Sequence, residues 1–162
     1  MRSWLVALLV AVILAAVALL YFHLSQGRVD VYVSDPPAPG LAIYLTFTSV
    51  ALHRVGNSSG WVAIFNGSKT VALSRAPQLL VSASAPAGEY DEVFFTVSSA
   101  TVEIGGHNVT ARVPSGVFKV HITGGMRLSG GSTEKLLISF PHVTHAGGQI
   151  IISPSITAQA IP

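Results

Sequence analysis

The sequence predicts an all-β domain, an antiparallel sandwich, preceded by one N-terminal transmembrane helix. Three observations predict it. One long uncharged apolar run occupies the N-terminus. Short segments alternating apolar with polar residues then recur about every ten residues, rich in Val, Ile, Thr and Phe. No amphipathic helical period interrupts them.

From Trp4 to Leu20 no side chain is polar, and Tyr21, Phe22 and Leu24 extend the run. At roughly 1.5 Å per residue this makes about 30 Å of helix, the thickness of a bilayer core. Trp4 and Tyr21 stand where aromatic belts sit; Arg2 and the terminal amine precede the run, and Arg28 with Asp30 follows it. This reading places residues 1–3 in the cytoplasm, residues 4–24 in the cell membrane as a single-pass signal-anchor, and residues 25–162 outside as an extracytoplasmic domain. The rival is a cleaved signal peptide, because Ala16-Val17-Ala18 is a small-x-small site. Cleavage there would leave Leu19-Leu20-Tyr21-Phe22 as an apolar new end, and the run exceeds the usual signal core, so the uncleaved anchor is preferred. A buried core helix fits poorly, since the run is apolar all round with no other helix to pack against.

The 162 residues leave room for one domain after the anchor. A net charge of +2 without any Lys/Arg cluster excludes a nucleic-acid footprint. The absence of cysteine excludes disulfides and thiolate metal sites. The three asparagines, Asn57, Asn66 and Asn108, all lie in acceptor sequons, which makes them candidate glycosylation sites on an exported domain. Sequons without disulfides point to a prokaryotic surface, archaeal above all.

Arg28 to Ser34 alternates Val29, Val31 and Val33 against polar neighbours, the period of a half-buried strand. Asp35-Pro36-Pro37-Ala38-Pro39-Gly40 breaks it with a rigid corner. Leu41 to Arg54 places Ile43, Leu45 and Phe47 on one face before the apolar phase flips to Val50 and Leu52, which predicts a bulge near Ser49. After a turn at 55–60, Trp61 to Phe65 and Lys69 to Leu73 flank Asn66-Gly67, a hairpin signal. Pro77 to Ala85 fits either a short strand or a helical turn. Tyr90 to Ser99 is the clearest strand, and Thr101 to Ile104 with Asn108 to Val113 brackets a hairpin at Gly105-Gly106-His107. Val117 to Ile122, Thr133 to Phe140 and Gln149 to Ala158 complete nine or ten strands.

The ordered pattern resembles the prokaryotic domain family catalogued as domain of unknown function 4382. The residues that carry the resemblance are Val31-x-Val33-x-Asp35-x-Pro37, Val50-x-Leu52-His53, Trp61 and Pro86-Ala87-Gly88-x-Tyr90. Thr96-Val97 with Ala100, Val113-Pro114-Ser115-Gly116, Lys119 and Pro154-x-Ile156 continue it. The match covers Arg28 to Ile156. It implies an immunoglobulin-like or transthyretin-like (prealbumin-like) sandwich on exported or lipid-anchored proteins, and no reaction. Where the family carries an acidic Asp-Phe-Asp, this chain has Ser139-Phe140-Pro141, so a cation site built on those acids is not expected.

Six histidines raise a metal reading, above all His142 and His145 with His121 and His107. Three-residue spacing puts two strand residues on opposite faces, so solvated turn histidines are preferred and no metal ligand is assigned. No nucleophile elbow is assigned, because none of the predicted turns leads from a strand into a helix. Glu89, Asp91 and Glu92 form an acidic cluster, but neighbouring strand residues point apart, which disfavours a glycosidase pair. Gly124-Gly125 and Gly130-Gly131 open no helix that could hold phosphate. Trp61 with Tyr32, Tyr44 and Tyr90 is a candidate sugar-stacking platform, Trp61 being the candidate ligand residue. No cofactor and no catalytic residue are assigned.

The expected function is a membrane-anchored cell-surface module with a structural, adhesive or partner-binding role in the envelope and no catalysis. Its expected partners are the lipid bilayer, through Trp4 to Leu24, and an envelope protein or glycan. The alternatives are a carbohydrate- or metal-binding accessory domain, and a filament subunit freed near Ala18 that assembles by strand addition through Gly27 to Ser34.

Overall fold

In a computed structural model of the chain, the described residues are 3–35, 41–111, 113, 116–140, 155–162 and the backbone of 143–146 and 149–152. The Pro36–Gly40 corner, Pro114-Ser115, Pro141-His142 and Pro154 lie outside them. One helix, α1 (Ser3–Ser25), runs straight into β1 (Gln26–Ser34). The remaining elements are β2 (Leu41–Arg54), β3 (Gly60–Leu73), β4 (Gln78–Pro86), β5 (Gly88–Ile104), β6 (His107–Thr110), β7 (Val117–Leu128), β8 (Thr133–Ser139), β9 (Val143–Ala146), β10 (Gln149–Ile152) and β11 (Thr157–Ile161).

The strands follow one another in the order β3-β2-β5-β7-β11-β8-β1-β4, with β6 on β5 and a separate β9–β10 pair. The path bends where β7 meets β11, a junction of only two residue pairs, Ala158↔Ile122 and Gln159↔Thr123. Its two halves close on each other as a nearly closed sandwich. Phe47 on β2 and Phe95 on β5 reach Phe140, just after β8, at 6.0 and 5.7 Å between ring centres. At the other end of the path, Lys69 Nζ on β3 donates to the Leu79 carbonyl of β4 at 3.1 Å. Pairing is antiparallel except for β1–β8 and β7–β11, which run parallel.

Periodicity explains the core. Val29, Val31 and Val33 of β1 face inward, and the apolar phase of β2 is buried on both sides of its flip: Ile43, Leu45 and Phe47, then Val50 and Leu52. The expected bulge is present, since the register of β2 shifts between Phe47 and Ser49 against both neighbours. The expected hairpin at Asn66-Gly67 is not. β3 runs through it as one strand, with Asn66 opposite Ser49 and Lys69 opposite Phe47. The type I′ turn that an Asn-Gly pair favours needs positive φ at both central residues, and neither Asn66 nor Gly67 adopts it. The irregularity is absorbed against the β2 bulge instead. The Gly105-Gly106 turn does form, with φ of 56° and 82° and Ile104 paired to His107. The ambiguous 77–85 segment is strand β4.

The Pro-Ala-Gly-x-Tyr turn has a physical basis. Tyr90 Oη donates to the Pro86 carbonyl at 2.6 Å, and Arg54 Nη2 donates to the Ala87 carbonyl at 2.6 Å. A side chain at Gly88 would strike the Arg54 guanidinium. Burial raises the Tyr90 phenol above its ordinary 10.0, while Arg54 pulls the other way. A raised phenol holds its proton more tightly folded than unfolded. Its contribution to stability is therefore complete below about pH 10 and is lost as the pH climbs through the folded-state value. Tyr90→Phe is expected to cost about 0.5–1.5 kcal/mol at neutral pH through the lost hydrogen bond, and to flatten the alkaline decline in unfolding free energy. Identical alkaline slopes for the two proteins would remove Tyr90 as the source.

The joint between helix and domain has no linker. Ala87 N donates to the Ser25 carbonyl at 2.9 Å, Gly131 N to Gln26 at 2.8 Å, and Arg28 N to the Ser132 carbonyl at 2.8 Å. α1 itself is exposed along its whole apolar length and is long enough to cross a membrane once. The arrangement is that of a single-pass membrane protein with all its strands on the C-terminal side of the helix.

Candidate functional site

The outer face of β3-β2-β5-β7 carries a connected group of polar and aromatic side chains. Trp61 comes from β3, His53 from β2, Asp91, Glu92 and Phe94 from β5, and Lys119 with His121 from β7. Register brings them level: His53 lies opposite both Trp61 and Glu92, Phe94 opposite Lys119, and Glu92 opposite His121.

A second bulge sets the geometry. Between Tyr90 and Glu92 the register of β5 against β7 shifts, and β2 shifts opposite it between His53 and Arg54. Asp91 is the extra residue against β2, while against β7 the additional residues are Ile122 to Gly125 on β7 itself. Tyr90 and Val93 both point into the core, so Asp91 and Glu92 are left together at the outer face. The expectation that these neighbours point apart therefore fails here. The signal was present in the three-residue spacing from Tyr90 to Val93, against the two-residue spacing of Val93, Phe95 and Val97.

His53 Nδ1 and Asp91 Oδ1 stand 2.7 Å apart. Glu92 binds Lys119 Nζ through Oε2 at 2.9 Å and faces His121 Nε2 through Oε1 at 3.4 Å. One donor atom each from His53, Asp91 and Glu92 falls within a mutual distance of 4.8 Å. Trp61 is 46% exposed, yet its ring is held by three neighbours. The His53 ring lies at 5.0 Å, Phe94 meets it edge-on at 5.9 Å, and Lys119 Nζ sits 5.4 Å from its centre.

The expected tyrosine platform does not assemble. Tyr90 is buried, Tyr44 reaches Glu103 at the far end of β5 at 3.4 Å, and Tyr32 lies on β1 in the other half of the sandwich. Among the described residues, the rings beside Trp61 are those of His53 and Phe94. Of the histidines, His121 joins this group while His107 sits at the distal hairpin. His142 and the side chain of His145 lie outside the described residues. Asn57 in the β2–β3 turn, Asn66 in the middle of β3 and Asn108 on β6 are all exposed.

A family model described as a domain of unknown function (DUF4382) matches residues 26–154, nearly everything after α1. The chain belongs to this family. The match begins at the first residue of β1 and takes in every strand but β11. Two solved structures are similar at low identity. One is described as a Gram-negative toxin: 12% identity, TM-score 0.26, covering 86% of this chain and 23% of that one. The other is a putative cell adhesion protein from Bacteroides ovatus: 11% identity, TM-score 0.26, covering 85% and 46%. The DUF4382 chain thus spans less than half the length of either. No curated protein matches the sequence.

Proposed function

We propose that this DUF4382 protein is a non-catalytic, membrane-anchored surface module that binds an envelope partner through the face around Trp61. The observation that carries the reading is the exposed but immobilised indole. An aromatic ring already ordered by His53, Phe94 and Lys119 loses little entropy on binding, and such rings dominate recognition surfaces. A glycan is the second reading, favoured by the carboxylates of Asp91 and Glu92 beside the indole, which can accept sugar hydroxyls while the ring stacks. Exposure of Asn57, Asn66 and Asn108 supports glycosylation of the module itself, and on β3 a glycan at Asn66 would shield an edge strand from pairing with another copy. Strand addition through Gly27 to Ser34 finds less support. β1 is already bonded to β4 on one side and β8 on the other.

The test is retention of detergent-solubilised full-length protein on immobilised native envelope material, with intact mass recorded on the same sample. Trp61→Ala is expected to lower retention at least tenfold, the scale of a single aromatic anchor at about 1.4 kcal/mol or more. Unchanged retention in a folded variant would sink the Trp61 face as the binding surface. Loss of binding to isolated glycan as well as to whole envelope would favour the sugar reading over a protein partner.

A further inference from the structure

We propose that His53, Asp91 and Glu92, joined by His121, form a binding site for one divalent transition-metal ion of the zinc class. This does not rest on the partner-binding reading.

The donor set is two imidazoles and two carboxylates, the mixed nitrogen and oxygen ligands that suit zinc and its neighbours rather than calcium or magnesium. Geometry supports it. In a tetrahedral site with bonds of about 2.1 Å, adjacent ligand atoms are about 3.4 Å apart. His121 Nε2 and Glu92 Oε1 already stand at 3.4 Å. His53 Nδ1 and Asp91 Oδ1 are closer, at 2.7 Å, the separation of a direct hydrogen bond. On metal binding the ring's one hydrogen is carried on Nε2 instead, Nδ1 presents its lone pair to the ion, and the pair opens by under an ångström.

The surroundings are those of a supported site. Glu92 is only 12% exposed, and its second oxygen is held by Lys119 at 2.9 Å, an outer partner that fixes the carboxylate while leaving the first oxygen free to bind. Lys119 is itself placed over Trp61. His121 is 83% exposed, so its ring can swing to complete the shell. The bulge of β5 against β2 at Asp91 puts two consecutive carboxylates on one face, which a regular strand forbids.

The experiment uses full-length, untagged protein in detergent carrying Trp4→Phe, which leaves Trp61 as the sole indole of the two. Copper(II) is titrated while Trp61 fluorescence is followed, and zinc(II) is then added as a competitor. The expected result is quenching that saturates at one equivalent and is reversed by zinc. Glu92→Gln and His53→Gln should each weaken binding by at least about tenfold, and His107→Ala should leave it unchanged. Absence of saturable quenching in the Trp4→Phe protein overturns the proposal, and so does unaltered affinity in a folded Glu92→Gln variant. If both site variants fail to fold, the one-equivalent stoichiometry and the reversal by zinc in the Trp4→Phe protein decide it. Retention on envelope material is read separately, so either idea can fail alone.

Discussion

Phe95→Ala is expected to lower the unfolding free energy by about 3–5 kcal/mol, the largest single loss in the domain. Phe95 is fully buried and its ring meets three others: Phe118 stacked at 5.1 Å, Phe140 at 5.7 Å and Phe47 at 5.9 Å. These come from β7, the end of β8 and β2, so one side chain ties both halves of the sandwich. Truncation removes the buried ring area, forfeits the aromatic pair terms of about 0.5–1.5 kcal/mol each, and leaves a cavity walled by rings that cannot collapse far. Chemical unfolding in mild detergent measures it, with Phe94→Ala, one residue along on the outer face, as the comparison. A Phe95→Ala loss no greater than that of Phe94→Ala would contradict the packing described.

The second large effect belongs to Gly130, where the turn between β7 and β8 touches the end of α1. A methyl group there would overlap the Leu24 carbonyl, and its neighbours are all backbone. No rotamer change relieves such a clash. The helix end cannot back away without breaking Ala87 N to Ser25 O or Gly131 N to Gln26 O, and the turn is closed by Ser132 N to Ser129 O at 3.1 Å. Gly130→Ala is expected to cost about 1–3 kcal/mol, the range for overpacking, and to raise amide exchange at Arg28 and Gly131 selectively. Ser129→Ala, which keeps the close approach open, should leave both amides protected. Equal exchange in Gly130→Ala and the parent would show the joint to be looser than its hydrogen bonds suggest.

How far the sequence revealed this arrangement depended on whether the deciding interaction was local. The anchor, the inward valines of β1 and the bulge near Ser49 were legible because each is a break or a beat in apolar spacing. Asn66-Gly67 misled, since the dipeptide permits a turn without requiring one, and the long partner β2 pairs with both halves of β3, its bulge taking up the register shift between them. Strand order and the parallel β1–β8 and β7–β11 pairings join distant segments and leave no local trace. The site fell between these cases. Trp61 was legible as an aromatic at a strand end, but its true neighbours depended on register, and the Asp91–Glu92 pair depended on a bulge that the Tyr90-to-Val93 spacing encodes.

The linkerless entry of α1 into β1 also fixes how the domain responds to tension. If a partner held at the Trp61 face is dragged away from the cell, the load reaches the membrane along the axis of β1. That strand is not at an edge. It is bonded to β4 from Gln26 to Val33 and to β8 from Arg28 to Ser34. Drawing it out lengthwise strains both ladders at once, in shear, whereas an edge strand would peel bond by bond. Rupture under force is governed by the unfolding barrier rather than by equilibrium stability. The tether therefore enters the domain at a strand whose release requires the collective failure of two ladders.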